Sequence, residues 1–216
     1  MKTLYQRWFI EFNFPNEEGK PYKASGGKME YNEILKREIP RGWQVDKLIN
    51  QANLYQPQTL SDKDLIENGQ FYVYGAGGIM GKYDKYNHND REIIISCRGN
   101  CGQTRMTIPK SWINGNSMVV HNKNKNQEYL YYTLYILGVD KTITGSVQKQ
   151  ITRTNLEDYK IVIPNESILE NFEKIASTIR DEQETIFYEN ERMTSIRDFL
   201  LPMLMNGQIN VDDIKI

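Results

Sequence analysis

Residues 166–201 read ESILENFEKIASTIRDEQETIFYENERMTSIRDFLL. Counting in sevens from Phe172 meets Phe172, Ile179, Ile186, Met193 and Leu200, an apolar residue at every step, which is the repeat of a helix with one strong seam. The positions four residues after the first four of these are Ala176, Gln183, Asn190 and Arg197, three of them polar. Polar groups in a seam cost stability unless paired, but they fix register and partner number. The spacing therefore predicts a helix that pairs with one particular helix through these nine positions. Leu169, Ile175 and Ile196 would also widen the stripe of an amphipathic helix lying on its own core, and spacing alone leaves both readings open. At 1.5 Å per residue the segment reaches about 54 Å, long for a helix that only covers a core, so length favours an arm.

Upstream of this helix the texture is different. Phe71–Tyr74, Glu92–Cys97, Met106–Ile108, Met118–Val120 and Lys160–Ile163 read as short strands. Gln127–Leu137 reads as an interior helix, with Asn126 as its N-cap and Gly138 as its stop. Thr142–Asn155 is a polar run. Ile39-Pro40-Arg41-Gly42-Trp43 marks the entry to a domain, with Trp43 on the core. Strands and helices mix without a regular βαβ rhythm, so the expected class is α+β. The expected organisation is an N-terminal segment and linker over 1–24, one mixed α/β domain over 25–165, the long helix over 166–208 and a tail over 209–216. Leu4, Trp8 and Phe12 repeat as in a helix, while Trp8, Ile10, Phe12 and Phe14 alternate as in a strand. Period cannot separate those two.

With 216 residues the chain can bury a real core. It has no run of 18 apolar residues and no signal-peptide core after Met1-Lys2-Thr3-Leu4, so a cytoplasmic protein without membrane contact is expected. Net charge is −1, yet residues 82–153 carry 11 Lys or Arg against 5 acids, a local excess of six cations that the rest of the chain reverses. Polarised charge suits a protein that meets phosphates on one surface and protein on another.

Several site chemistries fit poorly. Gly75, Gly77 and Gly81 give G-x-G-x-x-x-G with no following GK[ST], so a nucleotide-dependent enzyme on the Gly75–Gly81 loop lacks its strand-to-helix context. A strand-turn-strand element with Lys82, Tyr83, Lys85 and Tyr86 projecting near it is the tighter reading. His88, Cys97, Cys101 and His121 are zinc-type ligands without finger spacing, and the two cysteines are better read as reduced residues at a strand end. No metal is expected. Neither histidine stands near a Gly-x-Ser-x-Gly turn, and no catalytic residue is assigned.

Binding remains. Thr144, Ser146, Gln148, Lys149, Gln150 and Arg153 gather hydroxyls, amides and cations within ten residues, and Arg98, Asn100, Gln103 and Arg105 form a second cluster of the same kind. Gln reads adenine edges, Arg and Lys read guanine or hold phosphate, and Ser or Thr does either. An ordinary polar loop, and a coiled-coil adaptor that never touches DNA, are the alternatives.

These residues also resemble a family. Leu4–Phe12, Phe14–Tyr22 and Ser25–Met29 resemble the central conserved region of the DNA specificity subunit of type I restriction-modification enzymes. Ile39–Trp43 resembles the entry to that family's target recognition domain. Tyr74–Gly81, Ser96–Gly102 and Gly145–Ile151 are similar to motifs inside it, and Arg197–Ile209 resembles the end of the family's C-terminal helix. The resemblance covers nearly the whole chain, in order.

The resemblance implies a non-catalytic subunit that binds double-stranded DNA and holds methyltransferase subunits, and through them a restriction subunit. It implies no cofactor in this chain, with S-adenosylmethionine, ATP and Mg on the partners. In keeping with that, the chain has no Pro-Pro pair and no Walker lysine. A full specificity subunit has two recognition domains and two long helices, and this chain resembles only the second half. It is then a natural half-subunit that self-associates, the product of a half-gene, or a piece of a longer chain. A dimer through 166–201 would set two identical recognition domains about a helix length apart and predict a split palindrome.

Overall fold

The computed structural model describes residues 1–145 and 149–208. In chain order its helices are α1 (Lys2–Tyr5, continued by a π-helical turn over Gln6–Ile10), α2 (Leu48–Gln51), α3 (Gln127–Leu137), α4 (Arg153–Glu157) and α5 (Glu166–Met205). Its strands are β1 (Met29–Asn32), β2 (Arg37–Pro40), β3 (Gln44–Lys47), β4 (Ala52–Tyr55), β5 (Phe71–Gly75), β6 (Gly78–Tyr83), β7 (Ile93–Ser96), β8 (Thr104–Met106), β9 (Trp112–Ile113), β10 (Ser117–Asn122), β11 (Ile143–Thr144), β12 (Gln150–Ile151) and β13 (Lys160–Ile163). The expected mixed α/β class with a long C-terminal helix is the one found. Met1–Ile175 form one compact unit and Ala176–Ile216 another.

The heart of the first unit is an antiparallel sheet in the order β4-β10-β7-β8. Side chains alternate across a sheet, and both faces of this one are covered. Ile93, Ile95, Met118 and Val120 pack with Leu130 and Leu134 of α3. Ile94 and Val119 pack with Tyr74 and Ile113 of the neighbouring sheet β6-β5-β9. Burial on both faces is why Ile93-Ile94-Ile95 is apolar without alternation.

A separate aromatic core resolves the ambiguity at the N-terminus in favour of helix. Phe9 meets Tyr129 at 4.7 Å and Phe172 at 5.0 Å between ring centroids, both edge-to-face, while Phe14 stacks on Trp43 at 5.1 Å. Tyr5 donates to Thr133 Oγ1 at 2.9 Å and Tyr129 donates to the Val162 carbonyl at 2.6 Å, so both buried hydroxyls are satisfied. Tyr5, Trp8, Phe9, Phe12 and Phe14 of the N-terminal segment are buried in the same unit as the rest of the domain, while residues 15–24 contain no buried residue.

Other expectations shift in register or role. α3 spans the residues predicted, and Gly138 ends it at φ 68°. Its first turn is capped differently: Asn126 makes no side-chain cap bond, and the Glu173 carboxylate accepts from the backbone N–H of Glu128 at 3.1 Å and of Tyr129 at 2.6 Å. The strand expected at Met106–Ile108 lies two residues earlier, as β8. The polar run 142–155 contains β11, β12 and the start of α4.

α5 is unbroken, and it closes on a left-handed Gly207 (φ 69°) with Gln208 N–H bonded to Met203 O and Gly207 N–H to Leu204 O, the double bond pattern of a Schellman end. Phe172 leaves the set of pairing positions, because it is 0% exposed and packed against Tyr5, Trp8 and Phe9. From Ser177 to Met205 no residue is buried; Ile186 is 54% and Met193 68% exposed. Among the described residues, no helix is long and apolar enough to cross a membrane.

Candidate nucleic-acid interface

β5 and β6 form a hairpin in which Phe71 pairs with Tyr83 and Gly75 with Gly78, with a bulge after Val73. The glycine-rich stretch is therefore the strand-turn-strand element, and no helix follows it. Its glycines serve the turn: Gly78 sits at φ 117°, a backbone region that side chains rarely adopt, and a Cβ at Gly75 would run into the Met80 side chain. Lys82 lies over the Tyr72 ring at 5.0 Å and Tyr83 meets Trp112 edge-to-face at 5.4 Å. Lys85 is exposed just beyond the strand.

The second cluster sits on the turn between β7 and β8. Ser96 organises it by accepting from Gln103 N–H at 2.9 Å while its hydroxyl donates to the Asn100 carbonyl. Gly99 at φ 70° and Gly102 at φ 88° take the left-handed positions. This leaves Arg98, Asn100 and Gln103 exposed. Arg105 follows on β8, its Nη2 donating to Gln103 Oε1 at 2.8 Å.

The third cluster is built on the small pair β11–β12, in which Thr144 faces Gln150. Thr144, Lys149, Gln150 and Arg153 are exposed. Arg153 pairs with Glu157 at 2.7 Å on α4, which lowers its availability to a phosphate. Ser146 and Gln148 lie outside the described residues.

The structure joins what the sequence leaves about fifty residues apart. Arg98 and Gln150 form a β-bridge, Ile151 N–H donates to Cys97 O at 3.2 Å, and the Cys101 thiol donates to Lys149 O at 3.0 Å. The hairpin reaches the same place: a Cβ on Gly78 would stand 3.6 Å from Arg105 Cζ. Loops from three separate segments thus meet at the end of the central sheet where β7 finishes and β10 begins. Cys101 and Ser96 tie these loops together, a structural role that the sequence reading did not assign to them. Nothing in their local spacing signals it, since their partners lie across the fold.

The zinc-type residues do not gather. His88 bonds Tyr55 at 2.9 Å and Asn87 at 2.6 Å, whereas His121 bonds Glu92 at 2.8 Å. Burial holds the Glu92 carboxyl above its usual range, with His121 opposing, and burial holds the His88 imidazole below its own. Burial likewise pushes the Cys97 thiol up to about 11, which makes it a poor thiolate. Among the described residues no group of three His, Cys, Asp or Glu could hold a metal.

A covered α/β sheet carrying these loops, with a long C-terminal helix, is the architecture of known specificity subunits. The type I restriction-modification S subunit from M. genitalium superposes with a TM-score of 0.62 at 16% identity, over 76% of this chain and 46% of that one. The HsdS subunit from Thermoanaerobacter tengcongensis gives 0.52 at 13% identity, over 96% and 51%.

Residues 40–196 match the family described as type I restriction modification DNA specificity domain, and the chain belongs to that family. Relatives include the type I restriction enzyme HindI specificity subunit of Haemophilus influenzae, 24% identical over 79% of this chain and 42% of the relative. The MjaIX specificity subunit of Methanocaldococcus jannaschii is 22% identical over 98% and 52%. The chain therefore spans about half the length of these relatives.

Proposed function

We propose that this chain is the DNA-reading, non-catalytic subunit of a type I restriction-modification enzyme. Its first unit recognises one half of a bipartite duplex site, and the exposed stripe between residues 177 and 205 pairs with a second copy. Methyltransferase subunits dock on the same scaffold and bring the restriction subunit. S-adenosylmethionine, ATP and Mg belong to those partners. The observation that carries the reading is the meeting of the Arg98 turn, the Gln150 strand and the Gly78 hairpin at one sheet end. That convergence concentrates the cations and amides of the basic 82–153 stretch where a duplex can meet them together. Family membership supports it. Two-fold pairing predicts a site with two-fold symmetry.

The test is filter binding of the chain, with and without methyltransferase subunits, to a randomised duplex pool at several salt concentrations. A selected split palindrome and a steep fall in affinity with salt are expected. Replacing Gln148 and Lys149 together should relax or weaken selection. No selection and no salt dependence would leave the adaptor reading standing instead.

A further inference from the structure

Resting on that reading of the interface, we infer that Arg105 is its guanine reader and that Gln103 is the residue that positions it. The other cations at the interface are held differently: Lys82 lies over the Tyr72 ring and Arg153 is paired with the Glu157 carboxylate. Arg98 and Lys149 lie exposed on turns, and Lys85 lies beyond the end of β6. A mobile cation in solvent can neutralise a phosphate from many geometries, so it adds affinity with little regard to sequence. Reading a base edge requires a fork held at a fixed angle, because the acceptors O6 and N7 of guanine are met in parallel.

Arg105 is the arginine here whose fork is held by a neutral side chain, with its charge not met by a carboxylate in that bond. It springs from a strand, in register with Ile94 across β7–β8. Residues two apart share a sheet face, so Gln103 and Arg105 point the same way while Thr104 between them is buried. The Gln103 carboxamide oxygen accepts from Arg105 Nη2 at 2.8 Å. On its other side the guanidinium abuts the backbone of Gly78, where a Cβ would lie 3.6 Å from both Cζ and Nε. Arg105 Nε is buried with no hydrogen-bond partner among the described residues. The inner edge of the guanidinium is thereby enclosed, and the remaining donors are on the two terminal nitrogens, the pair that meets a guanine. The side chain is thus braced on two sides before DNA arrives, which is what preorganised recognition needs. Gln103 acts through Arg105 and fixes the plane of its fork.

The test uses the full chain with its methyltransferase subunits, a duplex pool with randomised positions, and then the selected duplex with each single-base change. Arg105→Ala and Arg105→Lys should select the same site except at one guanine, where discrimination falls by about 10- to 100-fold. The slope of affinity against salt should stay unchanged for Arg105→Lys, which keeps the charge. Gln103→Ala should loosen the same base and leave the others intact. Replacing that guanine by 7-deazaguanine should weaken the wild type and leave Arg105→Ala unaffected. The inference is overturned if Arg105→Ala weakens every sequence equally and reduces the salt slope by about one, the signature of a phosphate contact. Unchanged selection by both variants overturns it too. If the wild type selects no sequence at all, the DNA-reading proposal itself fails, and this assignment with it.

Discussion

The Glu173 carboxylate accepts the backbone N–H of Tyr129 at 2.6 Å, across 44 residues of chain, and that of Glu128 at 3.1 Å. A residue near the start of α5 thus caps α3. The first N–H groups of a helix have no partner within it, and the positive end of the helix dipole favours an anion there. Glu173→Ala should cost about 2 kcal/mol, read as a lower urea midpoint. Glu173→Gln keeps one acceptor and should cost less than half of that. Equal midpoints for all three proteins would show that the cap carries no stability.

The same carboxyl makes stability depend on pH. Burial pushes it from 4.5 up to about 7, against the two backbone donors, and the Glu128 charge adds to the rise. The folded chain therefore keeps a proton that the unfolded chain has released, so this group's contribution falls as pH climbs from about 4.5 to about 7. Thermal melts at pH 5 and pH 8 should show the wild type gaining on Glu173→Gln at the lower pH. A gap that is constant, or that widens the other way, would contradict this.

Local signals decide how much of this could be read in advance. α3 was legible because its apolar spacing and its Gly138 stop lie within a dozen residues, and β7 because an isoleucine run needs no partner to be noticed. The N-terminal helix was not. Tyr5, Trp8, Phe9 and Phe12 are buried at helical spacing while Lys2, Gln6, Arg7 and Glu11 are exposed, but Phe12 and Phe14 beyond the helix are buried as well, and their alternation with Trp8 and Ile10 imitates a strand. Phe172 kept the heptad count of α5 while serving this core, so counting alone placed it in the wrong interface. The Arg98–Gln150 bridge joins residues whose separate loops each look like ordinary polar turns.

The β5–β6 hairpin gives a test of the nucleotide alternative. A phosphate cradle needs a helix N-terminus after its glycines, and here β6 follows. NAD, ATP and S-adenosylmethionine should each leave the melting temperature unchanged, since a ligand that binds the native state must raise it. Gly78→Ala should lower stability by about 1–3 kcal/mol from strain at φ 117°. A clear shift with any of the three ligands would revive the enzyme reading.

The two parts of the heptad seam should separate on mutation. Phe172 is fully buried among Tyr5, Trp8, Phe9 and Tyr132, so Phe172→Ala should cost about 3–5 kcal/mol of domain stability. Ile186 and Met193 are 54% and 68% exposed, so lysine there removes no contact made within this chain. A double Ile186→Lys, Met193→Lys variant should stay folded and show monomer mass by light scattering where the wild type shows a dimer, and should melt below the wild type only by the concentration-dependent margin that pairing adds. Charges placed at adjacent seam positions of two paired helices repel and must be desolvated together. A wild type that is monomeric at every concentration would remove self-pairing. A dimer that survives both lysines would move the interface elsewhere on the chain.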